Sequence, residues 1–232
     1  MVKKVKKKLV VICAHPDDEV IGCGGTIAFY KKKNYEILVI FFTCGESSRQ
    51  FMNKNLLKKK EKKRINGSNK ASLILGVNKI VNFDLNDNEL DKYSNLFLTK
   101  KIETVLEKFK ADIILTHAAN DLNVDHRKVN FAVQTACRTS GALNVQQILC
   151  FEISSSTNNL KLNKKRFNPN FYVDISNQID LKKKALKCYK NQLKPYPNPL
   201  SYKNIINLSK YRGSEVNLNY AEAFEVIRIT VN

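Results

Sequence analysis

Three histidines and a run of acids carry most of the chemistry this chain can offer. His15 stands in Ala14-His15-Pro16-Asp17-Asp18-Glu19, His117 follows an apolar run, and His126 follows Asp125; there is no other histidine in the 232 residues. Each falls at, or just beyond, the carboxyl end of a predicted strand, the edge at which loops of an open α/β sheet converge on a ligand. Imidazoles gathered beside carboxylates are the donors of a metal site. The simplest assignment takes His15, Asp18 and His126 as ligands of one ion, with the fourth position left to a water. That set suits catalytic zinc and also Fe(II), so the donors leave the metal open. Asp17, next to Asp18, is expected to point another way. A carboxylate that misses the ion but reaches its water is placed as a general base, and the cation keeps it ionised. Asp125 opens a predicted helix, where it serves as N-cap, as orienter of a ligand or catalytic group, or as both. His117 is either a buried strand-end histidine with a satisfied hydrogen bond or a residue that meets substrate.

Elements must hold these side chains in place. Lys8 to Ala14 reads as the first strand, and Pro16 fixes its own φ and keeps His15 extended, which ends the strand at a defined point. The Gly-rich Gly22-Cys23-Gly24-Gly25 leads to a helix placed over Thr26 to Lys33. Glu36 to Thr43 is an unbroken apolar strand, as expected when helices cover both faces. The loop Cys44 to Ser48 follows it. A long basic stretch from Asn53 to Leu75 ends at Gly76 as a helix ends at its C-cap. Further strands are predicted at Lys79 to Leu85, Asp112 to Thr116, Gln147 to Ile153 and Phe171 to Ile175. Helices are predicted over Leu96 to Phe109, from Asp125 to Arg138, from Gln178 to Gln192 and, briefly, near Ile205, before a last β-like run over Phe224 to Val231. Strands alternating with helices predict a mostly parallel, Rossmann-like sheet in one domain spanning residues 1–232. The glycines at 22, 24 and 25 do not form a dinucleotide fingerprint.

Composition narrows the class. The chain is 43% hydrophobic, enough for one sizeable core. No apolar run approaches the roughly 18 residues of a membrane span. The lysine-rich start is followed by too short an apolar run for a signal peptide, so a cytoplasmic protein is expected. Six cysteines without a C-x-x-C pair read as reduced, mostly buried thiols. Cys13 and Cys23 flank the first motif, but oxygen and nitrogen donors make them unneeded as ligands. The formal charge of +19 raises nucleic acid as a partner. The lysines are spread along the chain with many asparagines, and no aromatic-interleaved basic motif is present. A solvated surface is the preferred reading, with no specific nucleic acid partner, and steering of an anionic substrate comes second.

Ala14 to Glu19 resembles the A-H-P-D-D-E signature of the PIG-L/LmbE-like zinc de-N-acetylases. Thr116-His117-Ala118-Ala119-Asn120-Asp121-Leu122-Asn123-Val124-Asp125-His126-Arg127 resembles that family's second metal motif. The likeness continues through Phe151 to Thr157 and Phe167 to Asn170 and ends near Tyr220 to Phe224. It implies a Rossmann-like three-layer α/β/α fold. It implies Zn2+, or another divalent metal such as Fe2+, on His15, Asp18 and His126, with Asp17 activating the metal-bound water. The implied reaction removes the N-acetyl group of an amino sugar, of GlcNAc type or nucleotide-linked. Arg64 and Asp87 match substrate-contacting positions, and relatives that form dimers, trimers and hexamers suggest a homo-oligomer. The chain departs from the pattern at three places. Asn123 stands where a catalytic histidine is common, and its amide can donate to an oxyanion but cannot deliver a proton. Gly67 replaces a glutamate expected three residues after Arg64, and Tyr196-Pro197-Asn198-Pro199 lacks the usual histidine and arginine. Two other readings stand beside the deacetylase: a carbohydrate-binding pseudoenzyme of this fold, and the same chemistry on a glycosylated thiol precursor.

Overall fold

The computed structural model describes residues 6–46, 53–157 and 166–231. The first five lysine-rich residues and the Ser47-Ser48 end of the loop after the second strand lie outside them. Among the described residues seven strands form one sheet: β1 (Lys8–Cys13), β2 (Glu36–Thr43), β3 (Lys79–Leu85), β4 (Ile113–His117), β5 (Gln147–Phe151), β6 (Phe171–Asp174) and β7 (Ala221–Ile229). Their order is β3-β2-β1-β4-β5-β7-β6. The first five are parallel, and β7 lies antiparallel to both β5 and β6. The helices are α1 (Asp18–Lys32), α2 (Lys54–Leu75), α3 (Asn95–Phe109), α4 (Val124–Ala136), α5 (Ile179–Cys188) and α6 (Tyr202–Ser214).

Side chains alternate across a strand, and the two faces of β1 show why its sequence is apolar throughout. Leu9, Val11 and Cys13 join a core with residues of α1, α2, α5 and α6. Val10, Ile12 and Ala14 join another with α3 and α4. The three-layer, mostly parallel fold expected from the sequence is therefore the one formed. The chain winds one way from β1 to β3 and the other way from β4 to β5, so β1 and β4 flank the point where strand order reverses. A crevice opens at that point in doubly wound sheets. Register pairs Val11 with Leu115 and Ile12 with Thr116, which brings the loops after β1 and β4 side by side.

Three helices depart furthest from the sequence reading, β7 starts at Ala221 rather than Phe224, and β5 ends at Phe151 rather than Ile153. Helix α1 does not wait for the glycines to pass; it begins at Asp18 and runs through them with a kink at Cys23 (φ −147°, ψ 24°). The kink frees backbone groups, and remote side chains satisfy them. Glu222 accepts from the amides of Gly25 and Thr26 at 2.9 and 2.7 Å. Lys182 donates to the Ile21 carbonyl at 2.9 Å and to Glu222 at 2.6 Å. Glycines weaken a local helix signal, while tertiary partners restored the helix. Helix α5 stops at Cys188 rather than Gln192, and α6 extends over 13 residues instead of a short turn near Ile205. Asn53 caps α2 through its side chain, and Gly76 ends that helix in the left-handed conformation. Among the described residues no helix is long and apolar enough to cross a membrane.

Candidate metal centre

The loop between β1 and α1 supplies the first donors. Asp18 turns back so that its Oδ2 accepts from the His15 amide at 2.9 Å. That oxygen lies 3.3 Å from His15 Nδ1 and 3.4 Å from His126 Nε2, and the two nitrogens are 3.3 Å apart. A tetrahedral ion with bonds of about 2.0–2.1 Å has donor-to-donor edges of about 3.3–3.4 Å. The three atoms thus stand as vertices of such a site, and the same separations are long for charge-assisted hydrogen bonds. The residues fit a divalent ion.

Each imidazole has a carboxylate behind it. His15 Nε2 lies 3.0 Å from Asp87 Oδ1 and 3.3 Å from Asp125 Oδ2. His126 Nδ1 lies 3.2 Å from Asp121 Oδ1. Such partners fix the tautomer that leaves the other nitrogen's lone pair for the ion. Asp125 also accepts from the amides of Asn88 and Leu90 at 2.7 and 3.1 Å, which ties the loop after β3 to α4. Asp121 accepts from Ser156 and Thr157 at 3.0 and 2.6 Å, so the loop after β5 holds it in turn. His15, Asp87 and Asp125 also cluster as three donors, but the amides held by Asp125 and the hydrogen-bond length to Asp87 make them orienters of His15. Without an ion, burial would hold His126 down, yet Asp18 and Asp121 outweigh it and push the ring up to about 9.

Asp17 takes a different direction from its neighbour. It is the N-cap residue of α1 at φ 119°, ψ −28°, a left-handed backbone for a side chain that ordinarily avoids it. A residue held there costs about 1–3 kcal/mol and persists where its surroundings dictate it. Its amide donates to Glu19 Oε2 at 2.9 Å, and its Oδ1 accepts from Arg64 Nη2 at 2.9 Å. Arg64 also donates to the Pro16 carbonyl at 2.7 Å and to the Gly45 carbonyl. Gly45 is at φ +73°, and a Cβ there would run into the Arg64 guanidinium. Burial pushes the Asp17 carboxyl up, Arg64 pulls it back, and it rests at about 6.

The remaining expectations are redistributed. His117 is fully buried and stacked on His126 at 3.9 Å between ring centroids. Its Nε2 accepts from the Ala14 amide at 2.9 Å, so its lone pair is taken. Burial and the neighbouring His126 lower it to about 4, and it is neutral near pH 7. Of the residues expected at the substrate, Arg64 holds Asp17 and Asp87 pairs with His15. The N-cap of α4 is Asn123 rather than Asp125: its Oδ1 accepts from the Asp125 amide at 2.8 Å, and Asp125 sits in the first turn. Cys13 and Cys23 are core residues, and all six thiols are free. Sequence reasoning missed Asp121 and Glu19 as supports of the site. Asp121 had one usable signal, its place in the same polar loop as His126; Glu19 is identified only by partners far along the chain.

A model of the family described as PIG-L, GlcNAc-PI de-N-acetylase, matches residues 10–137. Diacetylchitobiose deacetylase of Thermococcus kodakarensis is 25% identical over 231 residues, which cover 95% of this chain and 83% of that protein. The solved structure of N,N'-diacetylchitobiose deacetylase from Pyrococcus horikoshii with its inhibitor MPG aligns with a TM-score of 0.77 at 22% identity, covering 95% and 84% of the two chains. GalB, the 4-carboxy-2-hydroxymuconate hydratase from Pseudomonas putida, also aligns at 0.77, with 20% identity and 97% and 99% coverage. Both structural likenesses are likenesses of fold, and the fold alone does not select between hydrolysis and hydration.

Proposed function

The chain belongs to the PIG-L family, and on that premise we propose that it removes the acetyl group of an acetamido sugar by metal-dependent hydrolysis, giving acetate and a free amine. The observation that carries the reading is the division of adjacent carboxylates: Asp18 joins His15 and His126 in a three-donor set, while Asp17 takes no place in that set and has its Oδ1 held by Arg64. A divalent ion held by those three donors would polarise the acetamide carbonyl and acidify water at its open position. Asp17, at about 6, is basic enough to accept a proton from the attacking water and acidic enough to return it to the leaving amine near neutral pH. Arg64 keeps that carboxylate aimed. Asn123 spends only its amide oxygen on the helix cap, and its NH2 is left to donate to the carbonyl oxygen as negative charge builds there.

We assign the sugar's substituent to the cavity beside Arg64, the residue that holds Asp17. A cavity of about 280 Å³ is lined by Lys60, Lys63 and Arg64 of α2, by Glu46, and by Asn191 and Gln192. Its lysines favour an anionic substituent such as a nucleotide diphosphate. Zinc is the expected ion, with Fe2+ the alternative the donors allow, and the free thiols accord with a cytoplasmic setting.

The test is release of acetate and free amine by the zinc-loaded and iron-loaded protein. Substrates are N-acetylglucosamine, diacetylchitobiose, a glycosylated thiol precursor and a nucleotide-linked N-acetylglucosamine. Asp17→Asn, which keeps the side chain's shape, is expected to bind metal normally and to lose activity by about 10²–10⁴-fold. An Asp17→Asn variant that keeps most activity would remove Asp17 as the base. Metal binding and sugar binding without turnover on any substrate would instead identify a carbohydrate-binding protein.

A further inference from the structure

Glu19 is the one acid of the first motif that faces neither the ion donors nor Arg64. It is 1% exposed, with Oε2 accepting from the Asp17 amide at 2.9 Å and Oε1 accepting from Tyr189 Oη at 2.6 Å. Tyr189 is itself buried, at the C-terminal end of α5. It reaches Glu19 because α2 presents Gly67 at the crossing. A Cβ on Gly67 would stand 2.9 Å from the Cys188 carbonyl and 3.3 Å from the Tyr189 ring. This is the position at which the chain departs from the family pattern by losing a glutamate, and the space left is filled by the tyrosine.

We propose that Tyr189 is a positioning residue of the active site, acting through Glu19 to hold Asp17 in its left-handed backbone conformation, with Gly67 as the opening that lets it act. The proposal rests on the deacetylase reading for its kinetic consequence only. A glutamate has three rotatable bonds, and the Asp17 amide alone does not fix it. The tyrosine hydroxyl supplies the second anchor. With both anchors in place Glu19 reaches back to the N-cap amide much as the glutamate of a capping box does. Asp17 is then pinned at two points, its amide by Glu19 and its carboxylate by Arg64. The same segment of chain braces the second point too, since Gln192 donates to Glu46, whose Oε1 lies 3.6 Å from Arg64 Nη1. Removal of the hydroxyl frees Glu19 to rotate. Asp17 then relaxes toward an ordinary backbone, and its carboxylate spends less time aimed at the reacting water. Small misplacements of a catalytic group cost large factors in rate.

Tyr189→Phe removes the hydroxyl and keeps the ring. Two measurements test it. Hydrogen exchange at the Asp17 amide, followed by 15N NMR on metal-free protein, is expected to speed up at least about tenfold, while amides of β1 keep their protection. In the loaded enzyme kcat is expected to fall by about tenfold with KM within about twofold, and zinc affinity to stay unchanged, because Tyr189 touches no ion donor. Gly67→Ala, which crowds the tyrosine away, is expected to reproduce both effects and serves if Tyr189→Phe does not fold. Unchanged exchange at Asp17 in either folded variant overturns the proposal, as does a loss of protection spread over β1 and α1 together. Wild-type protein that releases no acetate from any substrate counts against the deacetylase reading, while the exchange measurement still decides the role of Tyr189.

Discussion

In the proposed reaction Arg64 sets the working pH of Asp17 as well as holding its carboxylate. The carboxylate must be ionised to take a proton, so kcat/KM is expected to rise with pH through about 6, or lower once a bound cation adds its own pull. The guanidinium lowers that value, so Arg64→Ala is expected to move the acid limb to higher pH and to reduce kcat. A pH–rate profile checks both, and a limb that stays in place would show that Arg64 does not tune Asp17. At this scale the cluster of three donor atoms was legible, because residue type and strand-end position sufficed to pick out His15, Asp18 and His126. The partners of those residues were not. The pairing of Arg64 with Asp17 and of Asp87 with His15 was not legible, because a motif match gives a position and no direction for the side chain. Nothing near Glu19 in the sequence points to Tyr189, which lies 170 residues away.

The loops matter at the next scale because each imidazole is aimed by an element other than its own. Asp121 orients His126 and is held by hydroxyls of the loop after β5. Asp121→Asn is expected to weaken zinc binding by about 10–100-fold, measured by competition with a chelator, and to leave the fold intact. Helix α1 depends on a different remote pair. Lys182→Met leaves Glu222 charged and buried at the kink, and a loss of about 3–5 kcal/mol in unfolding free energy is expected from denaturant titration. Replacing both Lys182 and Glu222 with apolar residues is expected to cost less than that single change, although Gly25 and Thr26 then lack an acceptor. The strands were largely legible, β2 to the residue, because an apolar run buried on both faces needs no partner to declare itself. The start of α1 was hidden by its glycines, and α6 was shortened because the packing that sustains it comes from β7 and its ion pair from Glu152.

Charge and the ion act on the molecule as a whole. With a net charge of +19, an anionic substrate is expected to show a KM that rises with ionic strength, while a neutral acetamido sugar shows little change. Removal of metal couples the site to overall stability. His126 sits at about 9 in the metal-free fold against an ordinary value near 6.5. A raised value in the folded state stabilises that state fully below pH 6.5, and the contribution is lost as pH climbs through about 9. Zinc needs the neutral ring, so its affinity changes in the opposite sense and increases over the same window. Thermal unfolding is therefore expected to show a zinc-dependent rise in Tm that is larger at pH 8 than at pH 6. An equal rise at both would mean that His126 does not bind the ion. The kink in α1 adds a matter of timing. All three donors of the proposed metal site have left the ribosome once residue 126 is through, yet the carboxylate that takes the two loose amides of the first helix is nearly a hundred codons further on. A nascent chain in that interval carries the whole donor set on an unfinished helix. The final strand slots between β5 and β6, so a stop codon just ahead of residue 222 is expected to abolish folding and activity without touching any of the three donors.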